Sequence, residues 1–153
     1  TFNLDSILVQ TQKLQLFKND GSFEWWANRQ NLGSHLTAGR YVITPGMSNR
    51  EIVNLLMSGR QTPVNVTFNN IRTKADFAGR IGEQLIADSS DFVAYFDSSA
   101  YFSTLGLNKD NFMTIFIPNT YELYWNTDAE GFVKRMAKEH DNFWTQARRD
   151  KAK

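Results

Sequence analysis

The chain lacks cysteine, long apolar runs and an excess of charge of one sign. Because there is no cysteine, disulfides and thiolate metal sites are excluded, and the redox compartment stays open. The longest uninterrupted apolar run, Phe92 to Phe96, has five residues, far below the roughly 20 that a membrane span needs. With 17 basic and 16 acidic residues the net charge is +1, so the sequence predicts no nucleic-acid partner and no binding to an anionic membrane through bulk charge.

Histidine is also scarce, which narrows the enzyme classes. His35 lies in a loop-like segment, and His140 falls on an apolar stripe, where we expect a core or interface histidine rather than a catalyst. Neither histidine has a G-x-S-x-G partner or an H-E-x-x-H spacing, so the sequence predicts neither a serine hydrolase nor a zinc enzyme. No phosphate-binding glycine loop occurs either. We expect no metal and no cofactor.

The overall composition is that of a folded, globular protein. Its 153 residues are 41% hydrophobic, 22% charged and 14% aromatic, a globular composition with enough length for one sizeable core or two small ones. The aromatic excess favours ordinary core filling, with some rings left to face a ligand. The chain begins at Thr1 without methionine and ends in "RRDKAK". We therefore expect a piece of a longer protein, with a missing anchor or signal segment left open.

The first part of the chain predicts a small mixed unit. Apolar spacing over residues 3–17 favours a helix that frays into a more extended segment near Leu14. "NDGSF" predicts a turn, and Ser22 is placed to cap a short helix through "FEWWANRQ". "TAGRYVITPG" predicts a short strand followed by a Pro45-Gly46 turn. Ser48 and Glu51 form an S-x-x-E capping box, so we expect a helix from Asn49 to Ser58 closed by a glycine.

The second part predicts more helix. "TPVNVTFNN" alternates as a half-buried strand, and from Thr73 an apolar residue recurs every four positions, with Gly79 and Gly82 placed to let another element approach closely. Short helices fit "SSDFVAYFDS" and "SAYFSTLGL". Thr127 and Glu130 suggest a second capping box, followed by a long helix whose apolar stripe continues to Ala147. The fold class is α+β, with a natural boundary near residues 67 to 72.

"IPNTYELYWNT" places one carboxylate, Glu122, among aromatics. A buried acid there could donate a proton, because an apolar pocket raises its pKa. In a strand, however, Glu122 points away from Tyr121 and Leu123 and lies alongside Tyr124. A surface strand with a solvated Glu is the favoured interpretation; substrate contact and acid catalysis stay open. Glu24, in the first turn of a predicted helix, is read the same way.

Two stretches together resemble a known family. In "GRYVITPGMSNREIVNLLMSG" the pattern G-x-Y-x-[IL]-x-x-G-x-[ST]-x-x-[ED]-[IL], followed by L-x-x-G, resembles the LysM-like module of the YceG-like family, the endolytic murein transglycosylases. "FIPNTYELY" resembles that family's L-F-P-D-T-Y segment. The positions that carry the resemblance are Gly39, Tyr41, Ile43, Gly46, Ser48, Glu51, Ile52, Leu56, Gly59, Phe116, Pro118, Thr120 and Tyr121.

The resemblance implies an organisation for the chain. It makes residues 1–68 a LysM-like α/β module with a truncated N-terminal strand, and residues 69–153 the mostly helical start of a catalytic domain. Three positions depart from the family pattern: Met113 and Thr114 stand where Glu-Gly is frequent, and Asn119 replaces an Asp. The family's catalytic Glu lies in a later helix of the type A-S-I-[IV]-E-K-E, which does not occur before Lys153.

For function, the resemblance implies a single-pass inner-membrane protein whose cell-wall domain lies on the periplasmic or extracytoplasmic side. One Glu would protonate the glycosidic oxygen of peptidoglycan, and the C6 hydroxyl of muramic acid would attack, leaving a 1,6-anhydro end. Candidates for lining the glycan cleft are Asn119, Tyr121, Glu122 and Tyr124, with no catalytic residue in this chain. Expected partners are glycan strands and cell-wall synthesis proteins.

Two alternatives belong to other classes. The chain could be a LysM-like binding module for glycan or a protein partner, with cleavage elsewhere. It could instead be a pyridoxal-phosphate lyase, because the family has also carried the label aminodeoxychorismate lyase. That chemistry needs a Schiff-base lysine and a phosphate cup. Neither is recognisable, since Lys74 starts a predicted helix and Lys134 lies on a solvated face.

Overall fold

A computed structural model describes residues 4–13, 20–69, 71–98 and 100–152. Within these ranges the fold is α+β, as predicted, and the chain forms two compact units, residues 1–62 and residues 63–153. The strands are β1 (Val64–Phe68) and β2 (Asn119–Leu123), and a 3₁₀ helix covers Phe112–Ile115. The α-helices are α1 (Leu4–Lys13), α2 (Asp20–Arg29), α3 (Leu32–His35), α4 (Asn49–Ser58), α5 (Lys74–Gly82), α6 (Ser89–Ser98), α7 (Tyr101–Thr104), α8 (Ala129–Phe143) and α9 (Gln146–Lys151).

The first unit is a small helical cluster. Helices α2, α3 and α4 bury one apolar side each, and their shared core consists of Phe23, Ala27, Leu32, Ile52, Val53 and Leu56. Helix α1 is present as predicted up to Lys13, and the more extended segment predicted from Leu14 lies outside the described residues. The predicted turn and cap before α2 are wrong, because the helix already begins at Asp20 and Ser22 lies inside it.

Helix α4 occupies the predicted residues for the predicted reason. The backbone amide of Ser48 donates to the Glu51 carboxylate at 2.7 Å, and the Glu51 amide donates to the Ser48 hydroxyl at 3.3 Å. These bonds satisfy two amides that a helix start leaves without partners. Gly59 closes the helix with a φ of 63°, a left-handed conformation that glycine adopts without strain. The bonds to Ser48 hold the pKa of Glu51 below its usual value.

The strand predicted within "TAGRYVITPG" does not form. One backbone bond, from the Thr62 amide to the Arg40 carbonyl at 2.8 Å, joins this segment to the end of the unit, and no ladder follows among the described residues. The alternating pattern of side chains alone therefore does not produce a strand here, because a strand needs a partner strand for its hydrogen bonds. The predicted turn is present: Met47 donates to Thr44, and Gly46 has a φ of 96°, as in a type II turn.

The second unit is built on an antiparallel pair of strands distant in sequence. Val64 pairs with Leu123 and Phe68 with Asn119. Because β1 pairs with β2, it belongs to the second unit. The division between the units thus lies between Thr62 and Pro63, earlier than the boundary after residue 68 drawn from the sequence.

Aromatic rings fill the core of the second unit. Phe68 stacks on Tyr121 with ring centroids 5.4 Å apart, and Phe77 lies 4.5 Å from Phe116. Most of the phenylalanines of the chain are in this one cluster: Phe68, Phe77, Phe92, Phe96, Phe102, Phe112, Phe116 and Phe132. The aromatic excess seen in the sequence is therefore explained largely by core filling.

The two glycines of α5 have different surroundings. A Cβ at Gly82 would lie 2.6 Å from the backbone nitrogen of Ser89, at the start of α6, whereas a Cβ at Gly79 would meet nothing within 4 Å. The predicted close approach is confirmed for Gly82 and wrong for Gly79. Gly82 thus fixes how tightly α5 packs on α6.

Helix α8 begins one residue later than the predicted capping box implies. Its N-cap is Asp128, whose carboxylate accepts from the Gly131 amide at 2.8 Å. Thr127 instead donates its hydroxyl to the Tyr124 carbonyl at 2.6 Å. The apolar stripe is buried up to Ala137, and the helix ends at Phe143, which is 38% exposed. Ala147, the predicted end of the stripe, is exposed in the separate helix α9.

Candidate functional site

One face of the two-stranded sheet is polar and open to solvent. Strand geometry sends alternate side chains to opposite faces, and here Val66, Tyr121 and Leu123 face the core. The opposite face, which we call the polar sheet face, carries Asn65, Thr67, Thr120 and Glu122, all of them exposed.

The register of the strands brings these polar side chains together. Asn65 lies opposite Glu122, and Thr67 lies opposite Thr120. The two threonine hydroxyl oxygens are 2.8 Å apart, within hydrogen-bond distance. The face therefore presents an amide, a carboxylate and a hydroxyl pair from residues more than 50 positions apart in the sequence.

The segment after β2 extends this face. Tyr124 is 53% exposed. Its carbonyl accepts from the Thr127 hydroxyl, and the next carbonyl, that of Trp125, accepts from the Ile86 amide at 2.8 Å. These bonds fix the backbone that follows the Tyr124 ring. The polar sheet face thus has an exposed aromatic ring at one end.

The outer edge of β1 is occupied by a side chain. The Gln84 amide oxygen accepts from the Thr67 amide at 2.9 Å, and its nitrogen donates to the Thr67 carbonyl at 3.2 Å. The same nitrogen also donates to the Arg80 carbonyl at 2.6 Å, at the end of α5. Gln84 therefore pairs with β1 as a neighbouring strand would and ties the sheet to α5.

Of the four predicted site residues, the structure groups two on one side. Glu122 points away from the core, alongside Tyr124, as the predicted strand required. Asn119 is exposed at the start of β2, where its side-chain oxygen accepts from the Thr120 amide at 2.8 Å.

Tyr121, the remaining predicted site residue, lies in the core. It is 7% exposed, and its hydroxyl donates to the Ile117 carbonyl at 2.6 Å. Burial, with a smaller contribution from Glu139, raises its pKa. Its ring leaves little surface to a ligand, and the hydrogen bond holds the start of β2 in place.

Sequence reasoning missed Asn65, Thr67 and Thr120 as members of this face. Their outward position could be read from the alternation in each strand. Their proximity to Glu122 could not be read from the sequence, because the residues of a strand do not show which other strand it pairs with.

Other chemistry-bearing side chains have structural partners. His35 is 3.2 Å from the Asn31 carbonyl, and His140 lies 3.8 Å from the Asp141 carboxylate. Lys74 pairs with Asp97, and Lys134 pairs with Glu130, which raises the Lys134 pKa. A Schiff-base lysine must lose its proton, so the environment of Lys134 opposes that role.

The described residues contain no cluster of three or more potential metal ligands. What the polar sheet face offers instead is a set of hydrogen-bonding groups beside a ring. Such a surface suits a ligand that carries hydroxyl groups along its edges and apolar patches on its faces.

Comparison with known proteins identifies the family of the chain. The sequence profile of the YceG-like family matches residues 2–153. The chain belongs to the YceG-like family. Comparison with curated protein sequences finds no match.

A solved YceG-like structure is also similar to the chain. It is a crystal structure of a YceG-like protein from Listeria monocytogenes, with 19% identity and a TM-score of 0.46. The match covers 96% of this chain and 54% of that one. This YceG-like chain therefore spans about half the length of the protein it matches.

The described helices were compared with the length and hydropathy of a membrane span. In the ranges that the structure describes, none of the helices of this YceG-like chain is long and apolar enough to cross a bilayer.

Proposed function

We propose that the chain is the glycan-contacting portion of a YceG-like peptidoglycan lytic transglycosylase. The observation that carries this proposal is the family match over residues 2–153. The enzyme cuts within glycan strands and leaves 1,6-anhydromuramic ends. A membrane anchor and an extracytoplasmic location complete the proposal, since peptidoglycan lies outside the membrane; cell-wall synthesis proteins are the proposed protein partners.

The polar sheet face supports glycan contact. Sugars expose hydroxyl groups at their edges and C–H groups on their faces. The Glu122 carboxylate can accept hydrogen bonds from the hydroxyls, and the Asn65 amide can both accept and donate them. The ring of Tyr124 can cover an apolar sugar face. Asn119, at the start of the same strand, pairs with the core residue Phe68 and therefore projects on the side opposite Glu122, so any contact it makes with glycan is separate from the polar sheet face. Tyr121 contributes by holding β2 in place.

The proton donor of the proposed reaction is not among these residues. A general acid near neutral pH needs a carboxyl whose pKa is raised by an apolar pocket, whereas the Glu122 side chain lies on the solvent-exposed side of β2. We propose that the acid belongs to a helix of the type A-S-I-[IV]-E-K-E, which this chain does not contain.

Co-sedimentation with purified insoluble peptidoglycan tests the proposal. We expect the chain to sediment with the polymer, and the double variant Glu122→Gln/Tyr124→Ala to be retained about tenfold more weakly, because a charge-assisted hydrogen bond and a stacking surface are lost. Glu83→Gln is the matched control for the charge, since Glu83 is an exposed acid at the end of α5 and is not one of the residues of the polar sheet face.

Two outcomes would contradict the proposal. Absence of wild-type retention would remove the glycan role. Release of anhydro-ended fragments by the chain alone, detected by mass spectrometry, would show that the acid is present after all.

A further inference from the structure

The first unit carries a row of tryptophan and arginine side chains that the proposed function does not use, with Trp25, Arg29 and Arg50 exposed and Trp26 half-buried against the core. Trp25 is 55% exposed on α2, and its ring lies 5.1 Å from that of Trp26 in an edge-to-face arrangement. The Arg29 guanidinium lies 5.3 Å from the Trp25 ring, and the Arg50 guanidinium lies 5.7 Å from the Trp26 ring. We call these four residues the indole–guanidinium row.

The row is held by the core beneath it. Trp25 and Trp26 lie between Phe23 and Ala27, whose side chains are fully buried. Arg50 comes from the first turn of α4, which packs on α2 through the same core. Two helices therefore place the two guanidinium groups at opposite ends of one aromatic pair.

The guanidinium groups are free to take an anion. Within the described part of the chain, neither Arg29 nor Arg50 has a carboxylate in ion-pair range. The acid next to Arg50, Glu51, is bound to Ser48. Glu24, exposed beside Trp25, is a negative charge next to the row.

We infer that the indole–guanidinium row binds a glycan whose substituents carry carboxylates, with indole surface against the sugar and guanidinium groups on those carboxylates. Arginine pairs with carboxylates through two parallel hydrogen bonds, and aromatic rings cover apolar ligand surface. The inference rests on the proposed function, because it names the carboxylates of peptidoglycan as the chemistry recognised by a second contact in the first unit.

An anionic bilayer fits the row less well. A helix that lies in a membrane interface needs a broad apolar side facing outward. In α2 the apolar residues Phe23 and Ala27 are buried in the core, so the outward side offers little beyond the tryptophan pair. A compact ligand with both an apolar surface and acidic groups matches the row better than a lipid surface does.

The experiment compares variants of the whole chain on insoluble peptidoglycan freed of phosphate-bearing polymers. We expect Arg29→Gln/Arg50→Gln to bind at least about tenfold more weakly than wild type, since the loss of one charge-assisted hydrogen bond already has that effect, and Trp25→Ala to bind more weakly as well. Arg40→Gln/Arg60→Gln is the matched control, because it removes the same charge from exposed positions of the same unit. Circular dichroism checks that every variant is folded.

Two further ligands identify the chemistry. On chitin, a glycan without carboxylates, we expect weaker retention than on peptidoglycan and no difference between wild type and the Arg29/Arg50 variant. On vesicles of phosphatidylcholine with phosphatidylglycerol we expect no binding that depends on Trp25. Vesicle binding that Trp25→Ala abolishes would overturn the saccharide inference in favour of a membrane surface.

The two proposals fail differently. If wild type is retained and the Arg29/Arg50 variant is retained equally well, the inference is wrong while the glycan role of the polar sheet face stands. If wild type is not retained at all, both are wrong. Equal losses in the Arg29/Arg50 variant and in its control would also overturn the inference, since bulk charge alone would then explain binding.

Discussion

Replacing each of the two glycines of α5 by alanine should change stability in opposite directions. Both glycines lie in the helix, where alanine is favoured over glycine by about 1 kcal/mol because it loses less backbone entropy on folding. At Gly79 a Cβ would meet nothing within 4 Å. We therefore expect Gly79→Ala to stabilise the protein by about 0.5–1 kcal/mol.

At Gly82 the helix preference is opposed by a clash. The new Cβ would lie 2.6 Å from the Ser89 nitrogen and 2.9 Å from the Asp88 carbonyl carbon. Both are backbone atoms, so neither can rotate away as a side chain would. Forcing extra volume into a packed contact costs about 1–3 kcal/mol, which exceeds the gain in helix preference. We expect Gly82→Ala to destabilise the protein by about 1–2 kcal/mol.

Urea unfolding followed by far-ultraviolet circular dichroism measures both effects. The midpoint of the Gly79→Ala transition should rise and that of Gly82→Ala should fall, with unchanged slopes, since a changed slope indicates a changed denatured or native compactness. A Gly82→Ala protein as stable as Gly79→Ala would refute the tight α5–α6 contact.

Two more predictions concern hydrogen bonds made by single side chains. Gln84→Ala should destabilise the sheet by about 1 kcal/mol and speed exchange of the Thr67 amide hydrogen in NMR. Gln84→Glu can still accept from that amide but cannot donate to the Thr67 carbonyl, so its stability should lie between those of wild type and Gln84→Ala. An unchanged Thr67 exchange rate in Gln84→Ala would count against the pairing. Glu51→Gln should lower the melting temperature at neutral pH. Because folding lowers the pKa of Glu51 from its usual 4.5, its contribution is present above that pH and is lost as pH falls through the folded-state pKa, so the difference from wild type should shrink in acid; a difference independent of pH would contradict this.

The sequence predicted local elements well where a chemical signal marks their ends. Ser48, Glu51 and Gly59 delimit α4 by themselves, and the alternation of β1 and β2 gave their buried sides. The prediction was wrong where the structure of a segment depends on residues elsewhere in the chain. The "RYVIT" segment has the pattern of a strand, but no strand pairs with it in the described part of the chain. Ser22 has the chemistry of a cap but lies inside a helix that begins earlier.

The candidate site was predicted in part for the same reason. The outward position of Glu122 and Tyr124 follows from strand geometry within "IPNTYELYWNT". Tyr121 lies in the core because its ring stacks on Phe68. Asn65 and Thr67 lie beside Glu122 because β1 pairs with β2. Contacts between distant residues are set by the core as a whole, which a reading of local patterns does not contain.

The pairing of β1 with β2 also bears on how the second unit folds. Thr67 and Thr120 meet across 53 positions, so the ladder closes a long loop before any of its bonds can form, and that closure costs entropy. Helices α5, α6 and α7 lie inside the loop and depend on shorter-range contacts. We expect them to be ordered early and the sheet to close late, so the surface proposed to hold glycan would be among the last parts of the protein to exist.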